Sequence, residues 1–144
     1  MFEFWKIKKG LRDELIDLEK YHYNLVNTIE SYNGSGYKNV INRSELAEFP
    51  MLVWVELNDK VSMRRRRNIF KNYLNFDTKM SEGGELGIHF HSDMIESCEV
   101  IDGLMLDLVN NKEFKAHDIM HYDKGEQHHP VAIKDSILKI IFKT

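Results

Sequence analysis

The sequence predicts a mainly β protein, a small antiparallel sandwich or barrel preceded by one amphipathic helix. Three observations carry that prediction. Apolar residues follow a helical rhythm up to about residue 32, and from about Phe49 the pattern changes to short strand-like runs. Turn residues separate most of those runs, and many short strands at such spacing indicate a sandwich or barrel. The length of 144 residues suits one domain with a short appendage.

Leu11, Leu15, Leu18, His22, Leu25 and Ile29 are spaced 4, 3, 4, 3, 4, the a/d spacing of a coiled-coil seam. A helix over 8–31 would be about 36 Å long, and Asn33-Gly34-Ser35-Gly36 supplies its stop signal. Two readings fit. The helix pairs with a second copy as a parallel coiled coil, or it lies on its own barrel, which the wider apolar face of Ile16, Tyr21, Tyr23 and Val26 favours. Residues 1–45 therefore form a dimerisation or docking element, and residues 46–144 the barrel.

In the second part, Met51–Leu57 and Lys60–Met63 flank Asn58-Asp59, as in a hairpin. A strand region over 68–79 ends at Ser81-Glu82-Gly83-Gly84. Strands are expected at 86–91, 96–102, 104–109, 113–122, 128–133 and 136–143. Asp102-Gly103, Asn110-Asn111, Lys124-Gly125 and Lys134-Asp135 supply turns between them.

Composition narrows the function classes. A net charge of −3 argues against a general nucleic-acid binder. The single cysteine, Cys98, permits no internal disulfide and no CxxC zinc motif, and a reducing cytoplasm is the natural setting. No apolar run has the length of a membrane span, and the N-terminus lacks the features of a signal peptide. The run Arg64-Arg65-Arg66-Arg67 reads as a strand or turn whose arginines pair with acidic residues, rather than as an anion-docking site. Trp54 and Trp5 read as core and helix-docking residues.

The chemistry-bearing cluster lies in 83–128. His89 and His91 flank one residue, so on a strand both imidazoles face the same side. Glu96 follows after four residues, and His128 comes later, after Gly125. Imidazoles with one carboxylate suit a divalent first-row metal, and four ligands leave a position open for a small molecule. Cys98, two residues beyond Glu96, faces the same interior side, where a buried inert thiol is the commoner case. His129 should point away from the site, while His121 either reaches the pocket or lies in solvent.

These residues resemble the cupins. Gly83, five residues, His89-x-His91, four residues, Glu96, six residues and Gly103 match the first cupin motif at every spacing. The second motif is matched only at Gly125 and His128; His117, Asp123 and Ala132 stand where its leading Gly, Pro and Asn would be. The resemblance covers 46–144 and implies a jelly-roll barrel, a double-stranded β-helix, with His89, His91, Glu96 and His128 as metal ligands. Such sites hold iron, manganese, nickel or zinc, among which the sequence does not choose. It further implies a small-molecule ligand or substrate beside the metal. The chain then reads as a binding or sensing module, with a metal-dependent dioxygenase, isomerase or lyase as the alternative, and as a homodimer without membrane or nucleic-acid partner.

Overall fold

A computed structural model describes residues 40–68 and 70–144. The expected helix of 8–31, its heptad seam and Trp5 lie outside the described residues. No helix among the described residues is long and apolar enough to cross a membrane.

Among the described residues, one short helix, α1 (Arg43–Leu46), precedes nine strands: β1 (Trp54–Asn58), β2 (Val61–Arg66), β3 (Tyr73–Met80), β4 (Ile95–Asp102), β5 (Leu104–Asp107), β6 (Lys112–Lys115), β7 (Ile119–Tyr122), β8 (Pro130–Ala132) and β9 (Ser136–Lys143). They form a six-stranded sheet in the order β1-β2-β3-β9-β4-β7 and a three-stranded sheet in the order β6-β5-β8. All ladder pairings are antiparallel.

The two-residue period decides which side chains enter the core. Leu74, Phe76, Thr78 and Met80 of β3 are buried, as are Ser136, Leu138, Ile140 and Phe142 of β9 and Glu96, Cys98 and Val100 of β4. Phe76 sits between Phe49 and Phe142 in two edge-on ring contacts. The polar alternates of the same strands face outward. This interior lines the space between the sheets, and the site is built on it.

The β1–β2 turn forms at the expected pair: Asn58 Oδ1 accepts from the Lys60 amide at 2.8 Å, an Asx turn. Gly103, the last residue of the first cupin motif, links β4 to β5 with φ +106°. A Cβ there would fall 2.2 Å from Ser136 Oγ and 2.6 Å from the Asp135 carbonyl, so glycine is needed for space as well as for conformation.

Three expectations are corrected. The strand of 86–91 is instead an irregular segment with isolated bridges, Glu85 to Val131, Phe90 to Val40 and His89 to His128. Gly87, with φ +78°, breaks its extended backbone. The strand of 113–122 is two strands, because His117 adopts φ +78° and turns the chain between β6 and β7. Trp54 is not core: it is half-buried on the outer face, with Lys79 Nζ 4.1 Å and Arg64 Cζ 4.9 Å from the ring.

The arginine run follows the pairing expected of it. Arg64 and Arg66 both reach Asp77, at 2.7 and 3.5 Å. Arg65 donates to the carbonyls of Ala47 and Phe49.

Candidate metal centre

His89 and His128 lie directly opposite each other in an antiparallel bridge, each amide donating to the other's carbonyl at 3.0 and 2.9 Å. That pairing brings their rings to 4.3 Å between centroids. His91 follows two residues after His89, on the same side, with its ring 5.3 Å from His89 and 5.1 Å from His128. Glu96 enters from the start of β4, where it is paired with Tyr122 and Phe142. All four side chains are buried. The two motifs also join directly, since the Gly125 amide donates to the His91 carbonyl at 2.8 Å.

Each imidazole is held by its outer nitrogen. Nδ1 of His89 bonds the Gly87 carbonyl, Nδ1 of His91 the Ile41 carbonyl and Nδ1 of His128 the Glu126 carbonyl. A carbonyl only accepts, so Nδ1 carries the proton in all three and Nε2 is left for the interior. Backbone contacts of this kind fix tautomer and ring direction in metal-ligating histidines.

The inner atoms are crowded together. One ligand atom from each of His89, His91 and His128 lies within 4.8 Å of the others, a spacing at which the group could hold a metal ion. Glu96 Oε1 is 2.9 Å from His91 Nε2 and 3.4 Å from His128 Nε2. The contact with His128 lacks hydrogen-bond geometry, which leaves that Nε2 buried and without a bonding partner. An orphaned buried nitrogen costs free energy. A divalent ion would satisfy it, and nitrogen donors beside one carboxylate suit such an ion.

Electrostatics fit the same reading. Burial, reinforced by the neighbouring His128 and His91, lowers the His89 pKa to about 3, so this imidazole is neutral near pH 7. Burial alone would raise the Glu96 pKa, but contacts from His128 and His91 outweigh it and hold the carboxyl well below the usual range. Burial disfavours a charged His128, yet the Glu96 carboxylate reverses this and raises its pKa. A proton and a metal ion would therefore compete for His128, and metal binding should weaken as pH falls.

Behind His128 is a support that sequence reasoning missed. The Tyr122 ring stacks on the His128 imidazole, and its hydroxyl donates to Asp107 Oδ2 at 2.8 Å. Asp107 is fully buried and also accepts from the amides of Val109 and His129 and from Asn110 Nδ2. An acidic residue at an inward position of β5 was the only sequence signal available.

The remaining residues singled out from sequence separate cleanly. Cys98 is buried on the interior side, and burial raises its thiol pKa well above the usual value. His121 is exposed on the outer face of β7, 3.2 Å from Ser97 Oγ, and does not reach the site. His129 points away from the cluster to Glu85, at 3.1 Å. His117 is exposed at its turn.

A cavity of about 60 Å³ opens beside the cluster. His89, His91 and Glu96 form part of its wall, and apolar side chains such as Met63, Leu138 and Phe142 form most of the rest.

Two facing antiparallel sheets with a buried His/Glu cluster between them make this a cupin fold. Among solved structures, the chain is similar to KdgF from Halomonas sp., with 14% identity over 65% of this chain and 92% of that one and a TM-score of 0.59. It is similar to an RmlC-like cupin from Shewanella frigidimarina, with 17% identity over 67% and 89% and a TM-score of 0.56. A third similarity is to a chain in the complex of Rhodobacter sphaeroides SigE with the anti-sigma ChrR, with 21% identity over 63% and 48% and a TM-score of 0.55. At these identities the likeness concerns the fold. No family model and no curated protein matches the sequence.

Proposed function

We propose that this chain binds one divalent transition-metal ion through His89, His91, Glu96 and His128 and holds a small molecule in the adjoining cavity, as a binding or sensing module. The observation that carries this is the shared orientation of the three imidazoles, each with Nδ1 tied to a backbone carbonyl and Nε2 left for the interior. A bound metal would supply a Lewis acid to polarise the cavity's occupant.

The sensing reading draws support from the segment that leaves the N-terminal region. The Ile41 carbonyl orients His91, the Ile41 amide donates to the Phe90 carbonyl, and Asn42 bonds Ser92. Any shift of residues 40–42 therefore acts on a metal ligand directly. The heptad spacing of residues 11–29 supports a homodimer through the segment just upstream.

A second reading, a metal-dependent dioxygenase, isomerase or lyase, is favoured by His89, His91 and Glu96 forming part of the cavity wall. The ionisable groups in the cavity wall are those three and Cys98. Proton transfer would then fall to the ligand set itself.

Elemental analysis tests the metal reading. We expect a single divalent ion per chain in the purified protein, lost in His91→Ala and weakened in Glu96→Gln. Absence of metal after reconstitution with iron, manganese, nickel and zinc in turn would overturn it. Saturable binding of a small molecule without product supports the sensing module, and turnover abolished by His91→Ala supports the enzyme.

A further inference from the structure

Two of the three site imidazoles are oriented from within their own segment, and the third is not. His89 bonds the Gly87 carbonyl and His128 the Glu126 carbonyl, each two residues back along the chain. His91 instead bonds the Ile41 carbonyl, 50 residues away in sequence. The direction of His91 Nε2 therefore depends on where residues 41–43 lie. Local backbone sets the other two rings.

Residues 41–43 are fixed by individual bonds and not by a strand ladder. The Ile41 amide donates to the Phe90 carbonyl at 3.0 Å, beside the isolated bridge between Val40 and Phe90. Asn42 Oδ1 accepts from the Ser92 amide at 2.9 Å, and Asn42 Nδ2 donates to Ser92 Oγ at 2.7 Å. The Arg43 amide donates to Asp93 Oδ1 at 3.1 Å. The contacts of Asn42 and Arg43 are exposed, and hydrogen bonds open to water hold a segment only weakly. The same stretch of chain supplies part of the cavity wall through Ile41, Leu46 and Phe49, all buried. It thus closes one side of the cavity and aims a site histidine at the same time.

We propose that Ile41 and Asn42 are positioning residues for His91, and that metal binding and the seating of residues 41–49 on the barrel are coupled in both directions. This rests on the metal centre proposed above and names how that centre is regulated. Ligation through His91 Nε2 favours the arrangement in which Nδ1 donates to the Ile41 carbonyl, because that bond fixes the ring. By linkage, whatever seats the segment raises metal affinity, and a bound metal holds the segment in place by the same factor. The cavity wall formed by Ile41, Leu46 and Phe49 is held with it. A pull on residues 40–42 from upstream lowers metal affinity and loosens that wall in one movement. His89 and His128, oriented locally, carry no such dependence.

The test follows amide hydrogen exchange by mass spectrometry in the full chain, metal-free and with one equivalent of zinc. Zinc should slow exchange of residues 41–49 about tenfold, and by more than it slows the turn at 112–118. Zinc affinity is then measured by competition with a chromogenic chelator for the wild type, Asn42→Ala and Asp118→Ala. Asp118 accepts from the Lys115 amide in the turn after β6, so its variant loses a comparable exposed bond elsewhere in the fold. Asn42→Ala should bind zinc about tenfold more weakly, and Asp118→Ala should match the wild type. Ser92→Ala, which removes only the hydroxyl, should shift affinity less in the same direction, and it serves if Asn42→Ala does not fold. Protection of 41–49 no greater than that of 112–118 overturns the proposal and leaves the metal centre standing. So does an affinity of Asn42→Ala equal to that of the wild type or of Asp118→Ala. Failure of the wild type to take up zinc removes the metal centre, and this proposal with it.

Discussion

The Tyr122 ring lies flat on the His128 imidazole, with centroids 4.1 Å apart and planes 13° from parallel, while its hydroxyl is bonded to buried Asp107. One residue thus packs a site histidine and ties it to a carboxylate on the other sheet. Burial pushes the Tyr122 phenol up, and the Asp107 contact pushes it further, so the hydroxyl remains a donor. Tyr122→Phe keeps the stack and removes the tie. The expected cost is about 1.5–3 kcal/mol, as for a hydrogen bond to a charged group, read as a lower urea midpoint. Metal affinity should fall about tenfold or more, as when other outer partners of ligands are lost.

Acid should unfold the metal-free protein in a way traceable to His89. Its folded pKa of about 3 lies below the ordinary histidine value, so between those two values the unfolded chain binds a proton that the folded chain refuses. Stability therefore falls as pH drops through that window, at up to about 1.4 kcal/mol per pH unit from this group. Asp107 and Glu96 have depressed folded pKa values, and what they contribute is kept at neutral pH and lost on further acidification. Urea melts of metal-free wild type and His89→Gln from pH 7 to pH 4 should show a shallower decline in the variant.

Two turn positions should respond in opposite directions. His117 holds φ +78° where the cupin motif has glycine, and His117→Gly should stabilise the chain by about 1 kcal/mol once the extra freedom of unfolded glycine is offset. Gly103→Ala combines φ +106° with a Cβ placed 2.2 Å from Ser136 Oγ. It should destabilise by about 3 kcal/mol or more, with loss of the β4–β5 hairpin. Chemical denaturation of both variants checks the pair.

The N-terminal seam makes a prediction of its own. Leu18 occupies a d position among Leu11, Leu15, His22 and Leu25. If the seam joins two copies, Leu18→Glu should halve the mass in light scattering by placing a charge in the interface. An unchanged mass would assign the segment to its own barrel.

Local periodicity makes the histidine and glutamate cluster legible in the sequence. His89 and His91 share a side because they are two residues apart, and Glu96 and Cys98 share the interior of β4 for the same reason. The glycines at 83 and 103 marked turns, and the step at Gly103 proves to depend on the absence of a Cβ. Such features depend on backbone geometry over a few residues, which sequence spacing encodes directly.

What sequence spacing does not encode is which strands become neighbours. Opposition of His89 and His128, contact of Ile41 with His91, and the descent from His128 through Tyr122 to Asp107 all join residues far apart along the chain. They follow from sheet order and register, and those are decided by how two apolar faces close on each other. The same closure splits 113–122 at His117, turns Trp54 outward between two cations, and leaves the Thr78 hydroxyl alone against an apolar wall. By itself the sequence determined the donor types and their local spacing. Their convergence, and the cavity beside them, came only from tertiary packing, because no local interaction specifies a contact across two sheets.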